Sequence, residues 1–229
     1  MTRYAIEPWE LPSLPIAGSE ERFPVRRIFC VGRNYAAHAR EMGRDPDREP
    51  PFFFSKPGDA VVEDGSTVPF PSATENLHHE VELVVALKSG GRDIPESSAL
   101  DHVYGYAVGV DLTRRDLQDE AKKLARPWDM SKGFDNSAPC GAIRPAGEIG
   151  HPSDARIVLK VNGEVRQDGN INAMIWNVPE TIAYLSGLVE LKAGDLIFTG
   201  TPEGVAKVDR GSRLEASVDG VGTMDVTLR

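Results

Sequence analysis

Three carboxylates and the residues around them carry the clearest chemistry in this chain of 229 residues. In His78-His79-Glu80-Val81-Glu82-Leu83-Val84-Val85-Ala86-Leu87, alternation places Glu80 and Glu82 on one face of a strand, roughly 6.5–7 Å apart along it. On a solvated edge two such neighbours cost little. Run directly into Val84-Val85-Ala86-Leu87 they would be desolvated, and then either a carboxyl pKa rises or a cation is required. Asp111 closes a second apolar stretch, 104–110, where it reads either as a helix cap or as a third acidic group at a strand end. Three hard oxygen ligands, with no cysteine and no histidine at zinc spacing, point to Mg²⁺ or Mn²⁺ and keep positions open for substrate oxygens.

A second group involves proton transfer. His38 and Glu41 stand three apart in NYAAHAREM, so on a helix they share a face, and the carboxylate could hold the imidazole in the tautomer that takes a proton from water. The same spacing also describes a surface His beside a surface Glu. Lys132 lies in the irregular Pro- and Gly-containing segment RPWDMSKGFDNSAPCG, a setting in which loops carry function, although a solvated lysine fits it too. The strand-like 196–198 opens into Thr199-Gly200-Thr201-Pro202, a turn whose N–H groups and hydroxyl could grip a carboxylate.

The elements that must position these residues are mostly short strands. Gly (22) and Pro (17) are plentiful, which favours turns over long helices. The pattern predicts a short helix from Asn34, a potential cap, to Met42, with Gly43 as its stop and the loop 44–51 behind it as a tether for a mobile lid. A second helix is expected over 113–125 with Leu117, Ala121 and Leu124 as its apolar stripe, and a third with Pro179 at its first position and Ile182, Leu185 and Val189 at helical spacing. Asn162-Gly163 and Asp219-Gly220 each separate two strand-like runs and predict hairpins. The sum is a β-rich α+β chain: a small N-terminal section, 1–27, and one unit over 28–229.

Composition narrows the function further. The net charge of −9 argues against nucleic acid as a partner. No apolar run is long enough to span a bilayer, and Glu7, Pro8 and Glu10 interrupt what a signal peptide would need, so a cytoplasmic location is expected. Cys30 and Cys140 stand alone and read as buried small apolar residues.

Taken in order, GRNYAAHAREM, FFFSKP, HHEVELVV, GYAVGVDLTRRDLQ, the lysine of MSKGFD and TGTPEGV resemble the fumarylacetoacetate hydrolase family over 28–229. Within it they look most like the short bacterial members that hydrolyse fumarylpyruvate in gentisate breakdown. The resemblance implies a mixed β-roll or sandwich with a few short helices, a homodimer, and Mg²⁺ or Mn²⁺ (Ca²⁺ in a crystal) on Glu80, Glu82 and Asp111. It matches His38 and Glu41 to a water-activating pair on a lid and Lys132 to a substrate-contacting lysine. Arg115, Gln118, Gly200 and Thr201 match residues lining the site. The implied reaction is hydrolysis of the carbon–carbon bond of an acylpyruvate, with a general acylpyruvate hydrolase or an oxaloacetate decarboxylase as alternatives. A substrate with a second carboxylate needs a further cation, for which Arg33, Lys56, Arg115 and Arg126 are candidates.

Overall fold

A computed structural model of the protein describes residues 2–36 and 49–229. In chain order its strands are β1 (Ser13–Pro15), β2 (Arg22–Pro24), β3 (Arg27–Gly32), β4 (Phe52–Lys56), β5 (Val61–Glu63), β6 (Ser66–Val68), β7 (Leu77–His78), β8 (Val81–Leu87) and β9 (Val103–Val110). They continue as β10 (Thr113–Arg114), β11 (Ala138–Cys140), β12 (Arg144–Pro145), β13 (Arg156–Val161), β14 (Glu164–Asn170), β15 (Asp195–Phe198), β16 (Lys207–Val208), β17 (Arg213–Val218) and β18 (Gly222–Leu228). Short helices occupy Arg115–Lys123, Asp129–Lys132, Ala146–Ile149 and Val178–Leu188.

Among the described residues the strands form four sheets. The largest runs β4-β3-β15-β8-β9-β11-β5, with β12 added beside β9, and curls into a half-barrel. A five-stranded sheet, β14-β13-β17-β18-β6, packs against it. This is the β-rich architecture with few helices that the sequence predicts.

β8 lies inside the large sheet between β15 and β9, and all seven of its residues are buried. Its two faces feed different cores. Leu83, Val85 and Leu87 meet Ile157, Leu159, Leu214 and Met224 of the five-stranded sheet. Val84 and Ala86 pack with Ile28, Cys30 and Phe198, and also with Leu14, Ile16, Phe23 and Val25 of the N-terminal residues. The β1–β2 hairpin thus covers the second face of the sheet. Cys30 and Cys140 are free and buried, as expected.

Both hairpins form as predicted. Asn162 and Gly163 take φ values of 53° and 84°, the left-handed pair that a two-residue hairpin demands. Asp219-Gly220 joins β17 to β18. The Val178–Leu188 helix begins with Asn177 and Glu180 in a reciprocal capping box and Pro179 in its first turn.

The expectation for the second helix needs correction. The helix over 113–125 starts at Arg115, because Thr113 and Arg114 pair with β7 instead. Its buried residues are Arg115, Gln118 and Ala121, whereas Leu124 is half exposed; the helix lies over a polar cleft and not over an apolar core, so its inner face is polar. The predicted helix and lid at 34–51 fall largely outside the described residues. Asn34 itself is buried, its amide donating to the Trp176 and Thr199 carbonyls at 2.8 and 2.7 Å while its oxygen accepts from Trp176 N–H at 2.7 Å. Among the described residues no helix is long and apolar enough to cross a membrane.

The β8–β9 register puts Glu82 opposite Gly109. A Cβ at Gly109 would meet Phe198 and Val84, each at 2.6 Å, so the strands that carry the acidic groups close together only because this position lacks a side chain. Gly109→Ala is expected to cost about 1–3 kcal/mol by overpacking. At about 2–4 °C per kcal/mol for a chain of this size, calorimetry should record a clear fall in Tm, and an unchanged Tm would show that the sheet yields there freely.

Candidate active site

Glu82 belongs to β8, Glu80 immediately precedes that strand, and Asp111 immediately follows its partner β9. The antiparallel ladder continues past both strand ends, with Asp111 N–H donating to the Glu80 carbonyl at 2.8 Å. Three acidic side chains from two adjacent strand ends therefore converge, with ligand oxygens all within 4.8 Å of one another and all three residues buried. Asp111 is a strand-end acid; it does not cap the helix, whose N-cap is Arg114.

Fixed cations compensate two of the three. Lys132 Nζ lies 2.7 Å from Glu80 Oε2 and 2.6 Å from both Asp111 Oδ2 and Thr113 Oγ1. Burial disfavours the Lys132 ammonium, but Asp111 and Glu80 outweigh it and hold the pKa above the ordinary lysine value. Arg115 pairs with Glu80 through Nη2 and donates to Gln118 Oε1 at 2.6 Å through Nη1. Lys56 Nζ stands 2.8 Å from Asp111 Oδ1 and donates to the carbonyls of Leu112 and Lys132.

Glu82 is treated differently. It receives the Gly200 N–H at 2.7 Å, and among the described residues no basic side chain lies within ion-pair distance. Burial first, then Asp111 and Glu80, push its pKa well above the usual carboxylate range. The turn that the sequence marks as a carboxylate grip thus holds a carboxylate of the protein itself. Gly200 can do this because its φ of 95° suits glycine and a Cβ would meet Asn34 Cβ at 2.7 Å. A cluster of hard oxygens in which one buried carboxyl has no cationic partner among the described residues fits a divalent ion such as Mg²⁺ or Mn²⁺.

The cluster opens on a cleft of about 290 Å³. Gln118, Lys132 and Thr201 line it with Glu80 and Glu82, and Phe52, Phe54 and Trp128 form an aromatic wall. Trp128 meets Phe52 edge-on with centroids 5.4 Å apart. Arg33 and Lys122 line the cleft with cationic groups 5.1 Å from the Phe52 ring and 5.6 Å from the Trp128 ring. Next to the cluster, burial and then Arg115 lower the His78 pKa to about 4, so its ring is neutral at pH 7.

Of the residues singled out in the sequence, Glu80, Glu82, Asp111, Lys132, Arg115, Gln118 and Thr201 converge on this cleft, with Arg33 beside them. Lys132 is no solvated loop lysine: it ends a one-turn helix at 2% exposure. Lys56 pairs with Asp111, and Arg126 lines an adjoining hollow that shares Phe52, Phe54 and Trp128 with the cleft. His38 and Glu41 lie outside the described residues. Lys122 escaped the sequence reading, although its spacing of seven from Arg115 places it on the same helix face as Arg115 and Gln118.

Residues 27–229 match the model of the fumarylacetoacetate (FAA) hydrolase C-terminal family. The chain belongs to the fumarylacetoacetate hydrolase family. This member is an enzyme, as its family and its fumarylpyruvate hydrolase neighbours support. A fumarylpyruvate hydrolase from Pseudomonas aeruginosa, solved in complex with Mn²⁺ and pyruvate, is 55% identical with a TM-score of 0.95, covering 99% of this chain and 100% of that one. A Burkholderia cenocepacia protein provisionally named a fumarylpyruvate hydrolase is 56% identical, with a TM-score of 0.93 and full coverage of both chains. Among curated relatives, the mitochondrial oxaloacetate tautomerase FAHD1 of Rattus norvegicus is 47% identical over 199 residues, 87% of this chain and 90% of its own.

A cation that binds only the folded cluster must raise stability by about 2.7 kcal/mol at a hundredfold excess over Kd, and with it Tm by roughly 5–10 °C. Mn²⁺ or Mg²⁺ should produce that shift, a chelator should reverse it, and Glu82→Ala should abolish it. Equal shifts in the parent and in Glu82→Ala would place any bound ion elsewhere.

Proposed function

We propose that the protein hydrolyses the carbon–carbon bond of an acylpyruvate, most favourably fumarylpyruvate to fumarate and pyruvate, with Mg²⁺ or Mn²⁺ held by Glu80, Glu82 and Asp111. The observation that carries this reading is the buried three-carboxylate cluster at the foot of a cleft, in a chain 55% identical to a fumarylpyruvate hydrolase solved with Mn²⁺ and pyruvate. Residues 28–229 are the proposed catalytic unit, a homodimer is the proposed assembly, and gentisate breakdown in the cytoplasm is the proposed setting.

When bound, the cation supplies a Lewis acid for the 2-oxo and carboxylate oxygens of the substrate and for the pyruvate enolate that leaves. Lys132, already charged between Glu80 and Asp111, adds positive potential where negative charge develops. Arg115 and Gln118, tied to each other at 2.6 Å, present a fixed polar face from the helix. By family resemblance, Glu41 orients His38, which takes a proton from the water attacking the distal carbonyl. His38→Ala is therefore expected to lower acylpyruvate hydrolysis by about 10²–10⁴ while sparing the metal-induced Tm shift, and parental turnover in that variant would remove His38 from the mechanism.

The second carboxylate of the substrate needs a cation beyond the cluster. Lys56 and Arg115 neutralise Asp111 and Glu80, and Arg126 lines an adjoining hollow, whereas Lys122, like Arg33, lines the cleft beside its aromatic wall. Seven helical residues from Arg115 to Lys122 rise roughly 10 Å, a span a seven-carbon dicarboxylate can reach when the lysine side chain extends inward. Lys122→Met should lower kcat/KM for fumarylpyruvate about tenfold and leave acetylpyruvate nearly unchanged. Similar losses on both would deny Lys122 this role.

A second reading, oxaloacetate tautomerisation, is favoured by the rat relative. Turnover of fumarylpyruvate, acetylpyruvate and oxaloacetate compared at fixed Mg²⁺ separates the two. Activity confined to oxaloacetate would overturn the hydrolase assignment.

A further inference from the structure

Gln167 stands on β14, in the sheet opposite the acidic cluster, at 1% exposure. Five hydrogen bonds fix its side chain, the longest from Nε2 to the Glu203 carbonyl at 3.5 Å, and their chemistry leaves a single orientation. Its Oε1 lies 3.0 Å from the Val81 N–H, which can only donate, and its Nε2 lies 2.9 Å from the Pro202 carbonyl, which can only accept. The other two contacts follow. His79 Nδ1, 2.9 Å from Oε1, must carry its proton, and Thr201 Oγ1, 2.8 Å from Nε2, must be an acceptor.

A hydroxyl has one proton. Thr201 accepts from Gln167 with a lone pair, so its O–H points away from that amide, and Thr201 is a buried residue that lines the cleft. Gln167 also links the two parts of the site, because Val81 and His79 flank Glu80 while Thr201 and Pro202 belong to the turn whose Gly200 binds Glu82.

We propose that Gln167 is a positioning residue that holds the Thr201 hydroxyl as a hydrogen-bond donor toward an oxygen of the 2-oxo acid bound in the cleft. This rests on the acylpyruvate reading only for the identity of the ligand. A side-chain amide is required because it donates to Thr201 and Pro202 while accepting from Val81 and His79. A carboxylate of equal size would accept on both sides, and Thr201 would turn its proton back toward it.

The test is a double-mutant cycle read as pyruvate affinity at saturating Mn²⁺, by calorimetry. Gln167→Glu and Thr201→Val should each weaken pyruvate about 10- to 100-fold, the worth of one hydrogen bond to a charged group. The double variant should be no weaker than Thr201→Val alone, because Gln167 acts through that hydroxyl. Mn²⁺ affinity measured without pyruvate should stay within about threefold in Thr201→Val. Thr201→Ser should keep parental affinity. Losses that multiply in the double variant would make Gln167 a merely structural or electrostatic residue and overturn the proposal. Parental pyruvate affinity in Thr201→Val would overturn it too, whether or not Gln167→Glu folds. Nitrogen-15 NMR of the parent gives a readout independent of any substrate: His79 should be the tautomer protonated at Nδ1, and protonation at Nε2 alone would refute the orientation on which the proposal stands. Failure of the parent to bind pyruvate would instead sink the acylpyruvate reading, with the His79 tautomer still judging the Gln167 geometry.

Discussion

Bringing three carboxylates within 4.8 Å of one another inside a folded chain is the condition every other part of this structure has to meet. At an effective dielectric near 20, each pair of unit charges at that distance repels by about 3–4 kcal/mol, which is a large share of the stability of an ordinary domain. The fold answers with opposite charge placed at fixed positions. Lys132 and Arg115 neutralise Glu80, and Lys132 and Lys56 neutralise Asp111. Among the described residues Glu82 receives the Gly200 N–H and no cation within ion-pair distance, and burial with its acidic neighbours raises its pKa, which marks it as the least compensated of the three. The asymmetry directs the cluster outward: the unmet charge belongs to a residue that lines the cleft.

Holding that arrangement requires a scaffold that does not relax. The carboxylates ride on β8 and the end of β9, which sit inside a sheet covered on both faces, by the five-stranded sheet on one side and by the N-terminal hairpin on the other. Relaxing the repulsion by splaying the strands would open both cores at once. Gly109 lets β9 approach Val84 and Phe198 closely, and Gln167 ties the Glu80 segment to the Thr201 turn from the opposite sheet. The charges and the packing are thus one design, since neither strand can move without breaking apolar contacts and buried hydrogen bonds together.

Much of this was legible in the sequence, for local reasons. Alternation around Glu82, an acid at the end of an apolar run, and Asn-Gly or Asp-Gly between strand-like runs are features of adjacent residues, and each led to the right element. The misses came where tertiary context decides. Leu117, Ala121 and Leu124 look like a core stripe because helical spacing cannot say whether a core or a cleft lies beneath; the structure turns Arg115 and Gln118 inward. Lys56 reads as a substrate cation until its pairing with Asp111 is seen. The N-terminal residues read as a weakly patterned section, yet Leu14, Ile16, Phe23 and Val25 close a core. Gln167 is 88 residues from His79 and had no local signal.

On the proposed reading, the division between inner and outer cations sets how this cleft would choose among 2-oxo acids. Inner cations bound to Glu80 and Asp111 have their charge matched within the protein, so the proposed role of the inner cleft is to hold the end common to 2-oxo acids, a carboxylate beside a carbonyl. Discrimination must come from groups whose charge is less fully matched. Lys122 is one, because Asp119 lies 3.3 Å away but both side chains are partly open to solvent, so a ligand carboxylate can compete for the ammonium. Burial lowers the Lys122 pKa, which makes a second anion at that position favourable for the charged form. Oxaloacetate and fumarylpyruvate both carry a second carboxylate, at different distances from the 2-oxo group. Substrate length, read between a rigid acidic cluster and an ammonium on a flexible stem along the aromatic wall of Phe52 and Trp128, is therefore the variable by which this architecture can separate them.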